Sequence, residues 1–225
     1  MITSNVIHRV FRIQWGTGQG TAFAIDIDAK QYLVTARHVV SDFPGQAAIS
    51  VFSNSAWVEL PVQLVGHAKG DVDISVLAPS RLLTPPELAL EPMSKGVVYG
   101  QDVYFLGFPY DFLGKYVFGQ DGWPLPFVKK ATVSLFDGAV FLLDGHNNPG
   151  FSGGPVVFVQ SAGDPFRVAA VVSGYQAVAQ PVYAGHEETA LTYDYNTGII
   201  VTHAINGALE LIERNPIGFE IGGTA

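Results

Sequence analysis

The chain has 225 residues, of which 48% are hydrophobic and 14% are charged, and its formal net charge is −8 at pH 7. This composition excludes a disordered chain and allows a substantial apolar core. The negative charge argues against binding to nucleic acid or an anionic membrane, because phosphate contacts need clustered Lys and Arg. The only basic doublet is Lys129-Lys130.

No cysteine is present, so neither disulfides nor thiolate metal sites hold the fold. His8, His67, His186 and His203 lack the spacing of metal ligands, and we interpret them as surface or locally hydrogen-bonded residues. We therefore expect no metal and no cofactor.

The N-terminus, residues 1–10, carries no apolar run of the signal-peptide type, and no stretch approaches the length of a membrane span. We therefore expect a cytoplasmic location and no membrane partner. A chain from which a leader had been removed would have the same appearance.

The first part of the chain is predicted to form short strands separated by turn residues. In the second of these strands, Phe23, Ile25 and Ile27 alternate with smaller or polar residues. A single helical turn is expected after His38. The predicted strands cover residues 7–15, 21–28, 32–38, 47–52, 57–65 and 73–77.

A proline-rich stretch, residues 79–96, separates this part from the rest of the chain. We predict an N-terminal domain at 1–84, a connector at 85–96 and a C-terminal domain at 97–225. The second domain is expected to contain further strands, two long loops at 110–126 and 176–198, and one helix at about 203–214 that ends before Pro216.

The segment Asn147 to Pro155 places Ser152 among three glycines and two prolines. Glycines beside a serine allow tight turns in which the hydroxyl projects and neighbouring N–H groups converge. The N–H groups of Gly150 and Ser152 are the candidates for such an oxyanion-binding pocket. Taken alone, the segment is equally compatible with an ordinary Gly/Pro loop between strands.

Two possible partners of Ser152 lie upstream. His38 ends an apolar strand, and a histidine side chain ordinarily titrates in the range suited to accepting and returning a proton. Asp71 and Asp73 precede the next apolar strand. Because residues two apart point to the same face of a strand, alternation does not decide between these two carboxylates.

These three segments together resemble the trypsin-like (chymotrypsin-fold) serine peptidases, especially the bacterial Deg or high-temperature-requirement type. The resemblance also includes residues 18–23, residues 105–109 and the last strand and helix, and so spans most of the chain. The matching motifs are Thr35-Ala36-Arg37-His38, Asp73-Ile74-Ser75-Val76-Leu77 and Asn148-Pro149-Gly150-Phe151-Ser152-Gly153-Gly154-Pro155.

The resemblance implies an all-β fold of two six-stranded antiparallel β-barrels with a C-terminal helix. It favours Asp73 over Asp71 and implies a catalytic triad of His38, Asp73 and Ser152, with an oxyanion hole at Gly150 and Ser152.

The resemblance further assigns substrate-binding roles. The segment Ser173-Gly174-Tyr175 would pair with the substrate backbone, and Ser173 would bond to the triad aspartate. His146 would lie near the primary specificity pocket and favour an acidic side chain, although a solvated loop histidine is the alternative interpretation.

Two features depart from the family pattern. Phe151 stands where digestive members carry an acid that pairs with a newly cut N-terminus, so activation by that route is not expected. Deg-type members usually carry a peptide-binding PDZ domain after the protease part; we expect none here, so regulation through one is not implied.

The sequence thus predicts a serine endopeptidase that acts on a peptide or protein substrate through an acyl-enzyme. Two alternatives remain at this point. One is a catalytically silent relative that binds peptides or partner proteins, and the other is an esterase or acyl-transfer enzyme that uses the same site.

Overall fold

The computed structural model describes residues 1–111, 119 and 122–222. The helices are α1 (Ser4–Ile7) and α2 (Asn206–Arg214), with short 3-10 turns at Arg37–Val40, Pro86–Leu88 and Pro109–Asp111. The strands are β1 (Val10–Trp15), β2 (Gly18–Ile27), β3 (Lys30–Thr35), β4 (Gln46–Ser53), β5 (Ala56–His67), β6 (Ser75–Pro79), β7 (Glu91–Pro92), β8 (Asp102–Gly107), β9 (Phe127–Asp137), β10 (Val140–Asp144), β11 (Pro155–Phe158), β12 (Arg167–Ala184), β13 (Glu187–Ala204) and β14 (Phe219–Glu220).

The first barrel consists of β1 to β6, all paired antiparallel. Strand β3 pairs with both β2 and β6, which closes the sheet, and β14 pairs with the beginning of β3, on the edge that β6 uses further along. Alternation in β2 explains how this barrel packs. Ala22 and Ala24 point into the barrel interior, whereas Phe23 and Ile25 point outward into a second apolar cluster.

The second barrel consists of β8 to β13, and the pairing of β11 with β12 closes it. Its interior is filled by residues such as Phe105, Leu143, Phe158 and Ile200. Strand β7, which comes from the predicted connector, pairs parallel with the beginning of β12. The predicted fold class, two six-stranded antiparallel barrels and a C-terminal helix, is confirmed.

The two barrels share an apolar cluster that joins Phe23 and Val34 of the first to Leu106 and Val171 of the second. Helix α2 packs onto this cluster through Leu211 and other apolar residues. The loops that carry His38 and Ser152 lie along the same junction, where the amide of Thr21 donates to the carbonyl of Ser152 at 2.8 Å. The fold therefore brings distant sequence segments together between the barrels.

The prediction of a loop at 176–198 is wrong. Strand β12 continues to Ala184 and β13 begins at Glu187, and the two pair antiparallel through most of this segment. The strands are extensions of barrel strands, so their hydrogen bonding continues outward from the barrel.

The C-terminal helix begins at Asn206 rather than about 203, because His203 still pairs with Val140 in the sheet. The predicted loop at 110–126 lies partly outside the described residues. The domain limits at 84 and 97 remain a prediction.

A buried ion pair ties the connector to the first barrel. The guanidinium of Arg9, which is fully buried, makes two hydrogen bonds to the carboxylate of Asp26, at 2.9 and 2.6 Å. It also donates to the carbonyls of Leu88 and Pro85. We expect Arg9→Met to lower the free energy of unfolding by about 3–5 kcal/mol, because the Asp26 carboxylate is left without its counter-ion. Urea denaturation measures this loss.

The matched control is Glu210→Gln, which breaks the exposed pair between Arg214 and Glu210 on α2. An exposed pair of this kind contributes only about 0.3–0.5 kcal/mol. A loss below about 1 kcal/mol for Arg9→Met would contradict the structural role of the buried pair.

Candidate active site

His38 lies in the 3-10 turn that follows β3, and two contacts to one carboxylate orient it. Its backbone N–H donates to Asp73 Oδ1 at 2.9 Å, and its ring Nδ1 lies 2.6 Å from Asp73 Oδ2. A carboxylate can only accept, so Nδ1 carries the proton in this contact. The other ring nitrogen, Nε2, is thereby left as the basic atom.

Asp73 lies just before β6 and is partly buried, whereas Asp71 is exposed. Burial alone would raise the pKa of Asp73. The hydrogen bonds from the His38 ring and the Ser173 hydroxyl, helped by the charge and the backbone N–H of His38, outweigh that effect and lower the pKa to about 2. Asp73 is therefore ionised at neutral pH, and it is the carboxylate that the structure brings onto His38.

Ser152 and Asp73 are linked through Ser173. The Ser152 hydroxyl donates to the Ser173 carbonyl at 2.9 Å, and the Ser173 hydroxyl donates to Asp73 Oδ2 at 2.5 Å. Within the described part of the chain, no hydrogen bond joins the Ser152 hydroxyl to the His38 ring. The serine is thus held in a rotamer in which its proton points to β12, and a turn about χ1 is needed to direct it to His38.

The residues before Ser152 form a type II turn. The N–H of Phe151 donates to the carbonyl of Asn148 at 3.3 Å, with Pro149 and Gly150 at the two central positions. Gly150 has φ +103°, and a Cβ there would lie 2.2 Å from the carbonyl oxygen of Phe108. Only glycine fits this position.

This turn also fixes the direction of one N–H group. The Pro149 carbonyl accepts from the amide of Tyr110 at 3.0 Å. Because the C=O and N–H of one trans peptide point in opposite directions, the Gly150 N–H is aimed away from Tyr110. Neither this N–H nor that of Ser152 donates to any acceptor in residues 1–111, 119 and 122–222. Both are therefore free to bind a developing oxyanion.

Phe151, immediately before the serine, anchors the turn in the second barrel. Its ring is fully buried and meets the ring of Phe105 edge-on, with 4.9 Å between centroids. An apolar anchor thus immediately precedes Ser152.

The sequence profile described as "Trypsin-like peptidase domain" matches residues 20–164. The chain belongs to the trypsin-like peptidase family. Its class of activity is accordingly that of a serine endopeptidase. A search of curated proteins finds no match for this chain.

Solved structures with the same fold include an HtrA-type protease and a serine endoprotease. The HtrA-type protease AlgW with tripeptide is 19% identical with a TM-score of 0.61, covering 95% of this chain and 62% of that one. The serine endoprotease from Yersinia pestis is 18% identical with a TM-score of 0.58, covering 95% of this chain and 67% of that one. The inactive form of Rv3671c from M. tuberculosis H37Rv is 18% identical with a TM-score of 0.56, and the coverages are 93% and 87%. The chain therefore spans less than two thirds of the AlgW chain.

Two residues for which the sequence predicted no role in the site support the turn before Ser152 of this trypsin-like peptidase. Lys129 donates to the carbonyl of His146 and, at 2.9 Å, to Asn148 Oδ1, so it stabilises the turn from one side. Thr21 stabilises the same turn through its contact with Gly150. Its hydroxyl donates to the Gly150 carbonyl at 2.7 Å and accepts from the amide of Phe108 at 3.3 Å.

Replacing Thr21 tests whether this contact affects catalysis. We expect Thr21→Val to lower kcat about tenfold with little change in KM, a fraction of the 10²–10³ lost when an oxyanion donor is removed. Thr21→Ser keeps the hydroxyl and should restore most of kcat. Steady-state kinetics on one peptide substrate measures both. An unchanged kcat in Thr21→Val, or no rescue by serine, would contradict a positioning role.

The predicted substrate-binding residues occupy two places. Strand β12 carries Ser173, Gly174 and Tyr175 and passes beside Ser152. The edge of β12 that meets Ser152 is the one that faces away from β13. His146 is exposed, and its carbonyl, rather than its ring, is held by Lys129. The role of the His146 side chain in specificity remains a prediction. No described helix has the length and apolar character needed to cross a membrane.

Proposed function

We propose that this chain hydrolyses peptide bonds with a Ser152–His38–Asp73 triad and an acyl-enzyme intermediate. The observation that carries the proposal is the chain of contacts from the His38 ring to Asp73, from Asp73 to Ser173, and from Ser173 to the Ser152 hydroxyl. Two unbonded N–H groups beside that hydroxyl supply the remaining element of the site.

The reaction begins when a substrate displaces the Ser152 hydroxyl from the Ser173 carbonyl. The Ser152 proton passes to His38 Nε2 as Oγ attacks the scissile carbonyl carbon. The oxyanion that forms is stabilised by the N–H groups of Gly150 and Ser152. His38 then returns the proton to the leaving amine, the C–N bond breaks, and water repeats the sequence to release the acid.

Asp73 holds the His38 ring in one orientation and stabilises the imidazolium. Its pKa near 2 means that the carboxylate is charged throughout the pH range in which a histidine base works. Because this pKa is lowered on folding, the stabilising effect of the pair is present above the unfolded value near 3.9. It is lost as pH falls toward about 2.

Labelling with a fluorophosphonate probe tests the proposal. We expect the folded chain to be labelled on Ser152, identified by mass spectrometry of the modified peptide, and to cleave members of a peptide library. Heat-denatured chain is the control and should not be labelled. Absence of labelling in the native chain would favour a catalytically silent binding protein. Labelling accompanied by hydrolysis of small esters alone would favour an esterase.

A further inference from the structure

The outer part of the β12–β13 hairpin, residues 176–198, projects from the second barrel and is called the arm below. Five consecutive residues, 191–195, are all exposed. Successive side chains of a strand point to opposite faces, so both faces of the arm are in solvent. A two-stranded ribbon with neither face covered is only marginally stable in water.

The arm nevertheless exposes large apolar side chains. Val178 lies opposite Tyr195, and Gln180 lies opposite Tyr193, so two tyrosines and a valine share one face. Leu191 is 67% exposed and Tyr183 is 56% exposed. Apolar groups gathered on a projecting ribbon indicate a contact surface.

The arm continues the strand that contacts the nucleophile. Strand β12 passes Ser152 at Ser173, whose carbonyl accepts the Ser152 hydroxyl. Within the barrel, the edge of β12 that faces away from β13 pairs with β11 as far as Val171. The amide of the next residue, Val172, donates to the carbonyl of Gly154. Beyond that point, no strand in the described ranges pairs with the edge of β12 that faces away from β13.

Pro181 shows which residues face the free edge. Proline has no N–H, so within a paired strand its nitrogen must lie on the side away from the partner. Pro181 pairs with Thr192, and by alternation Ala177 and Ala179 share its orientation. The carbonyl of Gln176 accepts from Thr197 of β13, which places the even-numbered residues toward β13. The N–H and C=O groups of Ala177 and Ala179 therefore face this edge, where no described strand pairs with them. The Ala177 carbonyl accepts only from the side-chain amide of Gln176, at 3.4 Å.

The charge of the arm defines what it attracts. It carries Glu187, Glu188 and Asp194, and no Lys or Arg occurs between residues 168 and 213. Asp194 lies directly opposite Ala179. Carboxylates and tyrosine rings together favour cationic side chains, through ion pairing and cation–π contacts.

We propose that the arm lengthens the substrate-binding edge: a substrate strand that pairs with β12 beside Ser173 continues along Ala177 and Ala179, with its Lys or Arg residues toward the arm tip. This inference rests on the proposed function. We assign the bound part to the acyl side of the cleaved bond, because after the amine has left the acyl part stays attached to Ser152, beside which β12 passes. The added strand bonds through its main chain, and the arm side chains select for charge.

Peptides of two lengths test the proposal. They share one cleaved bond and one leaving group and carry an acyl side of about four or about eight residues. The long peptide is made with Lys or with Glu at its distal positions. We expect the long Lys peptide to exceed the short one about tenfold in kcat/KM, the factor that one or two added backbone hydrogen bonds supply. The long Glu peptide should gain less.

Two variants locate the effect on the arm. In Ala179→Pro one free N–H of the edge is lost while the pairing with β13 is kept, and the advantage of the long peptide should fall several-fold. Ala179→Ser keeps that N–H and is the matched control. Replacing residues 178–195 by an Asn-Gly turn should abolish the advantage while leaving cleavage of the short peptide unchanged.

Binding to the Ser152→Ala variant separates this inference from the proposed function. Fluorescence anisotropy of long and short peptides needs no turnover, so a length dependence there supports the arm site even without cleavage. Equal kcat/KM and equal affinity for both peptide lengths would overturn the inference. A gain in kcat/KM that came only from lengthening the peptide on the amine side of the cleaved bond would overturn it as well. Sedimentation that shows an oligomer lost on arm truncation, without any length effect, would assign the arm to contacts between copies instead.

Discussion

In the Ser152→Ala variant we expect kcat for peptide cleavage to fall about 10⁶-fold, the scale of loss seen when a triad nucleophile is removed. The change deletes the only atom that forms the acyl bond, whereas the type II turn and the Phe151 anchor remain. Binding of peptide should therefore persist. Kinetics on a peptide substrate and anisotropy on the same peptide measure the two quantities separately.

Ser80→Ala is the matched control, because Ser80 is an exposed serine at the end of β6. It should retain wild-type kcat. A Ser152→Ala variant that kept more than about one hundredth of the wild-type kcat would show that another group attacks the substrate.

For Asp73→Asn we expect kcat to fall about 10⁴-fold with the fold intact. The asparagine side chain can turn its NH₂ group toward His38 Nδ1, which stabilises the tautomer whose Nε2 already carries a proton. That nitrogen then cannot accept the proton of Ser152. The hydrogen bonds that Asp73 Oδ2 receives from the His38 ring and the Ser173 hydroxyl would be disrupted as well.

Asp71→Asn makes the same chemical change two residues away on an exposed side chain and should leave kcat within about twofold of the wild type. Since the pKa of Asp73 is about 2, the acid limb of the wild-type pH profile between pH 4 and 8 cannot come from this carboxylate. A larger loss in Asp71→Asn than in Asp73→Asn would reverse the assignment.

The sequence led to the fold class because strand alternation and the three motifs agree with each other. It did not separate Asp71 from Asp73 by pattern, and the structure gives the reason. Strand β6 begins at Ser75, so both acids lie in the segment before it, where the alternation of a strand does not apply.

The segment expected to be a loop at 176–198 forms a ribbon although its local composition disfavours strands. Pro181, Gly185 and the acidic doublet Glu187-Glu188 are all poor strand formers. The ribbon forms because hydrogen bonding continues outward from the barrel, an effect that local composition does not contain. The alternation of Leu191, Tyr193 and Tyr195 was the available signal.

Thr21 was missed for a different reason. It contacts Gly150 across 129 positions of sequence, and no local pattern marks such a pair. Side chains that act by supporting a distant turn are found only when the turn and its neighbours are seen together.

The burial of Phe151 against Phe105 has a consequence for how the enzyme is restrained. Contacts between apolar rings do not weaken with added salt or with protonation, and they form as soon as the second barrel folds. The turn before Ser152 is therefore held by a contact that neither salt nor pH weakens, and no charged group has to pair with residue 151 to order it. Control of such an enzyme through the ordering of this turn would have to act on apolar packing rather than on charge.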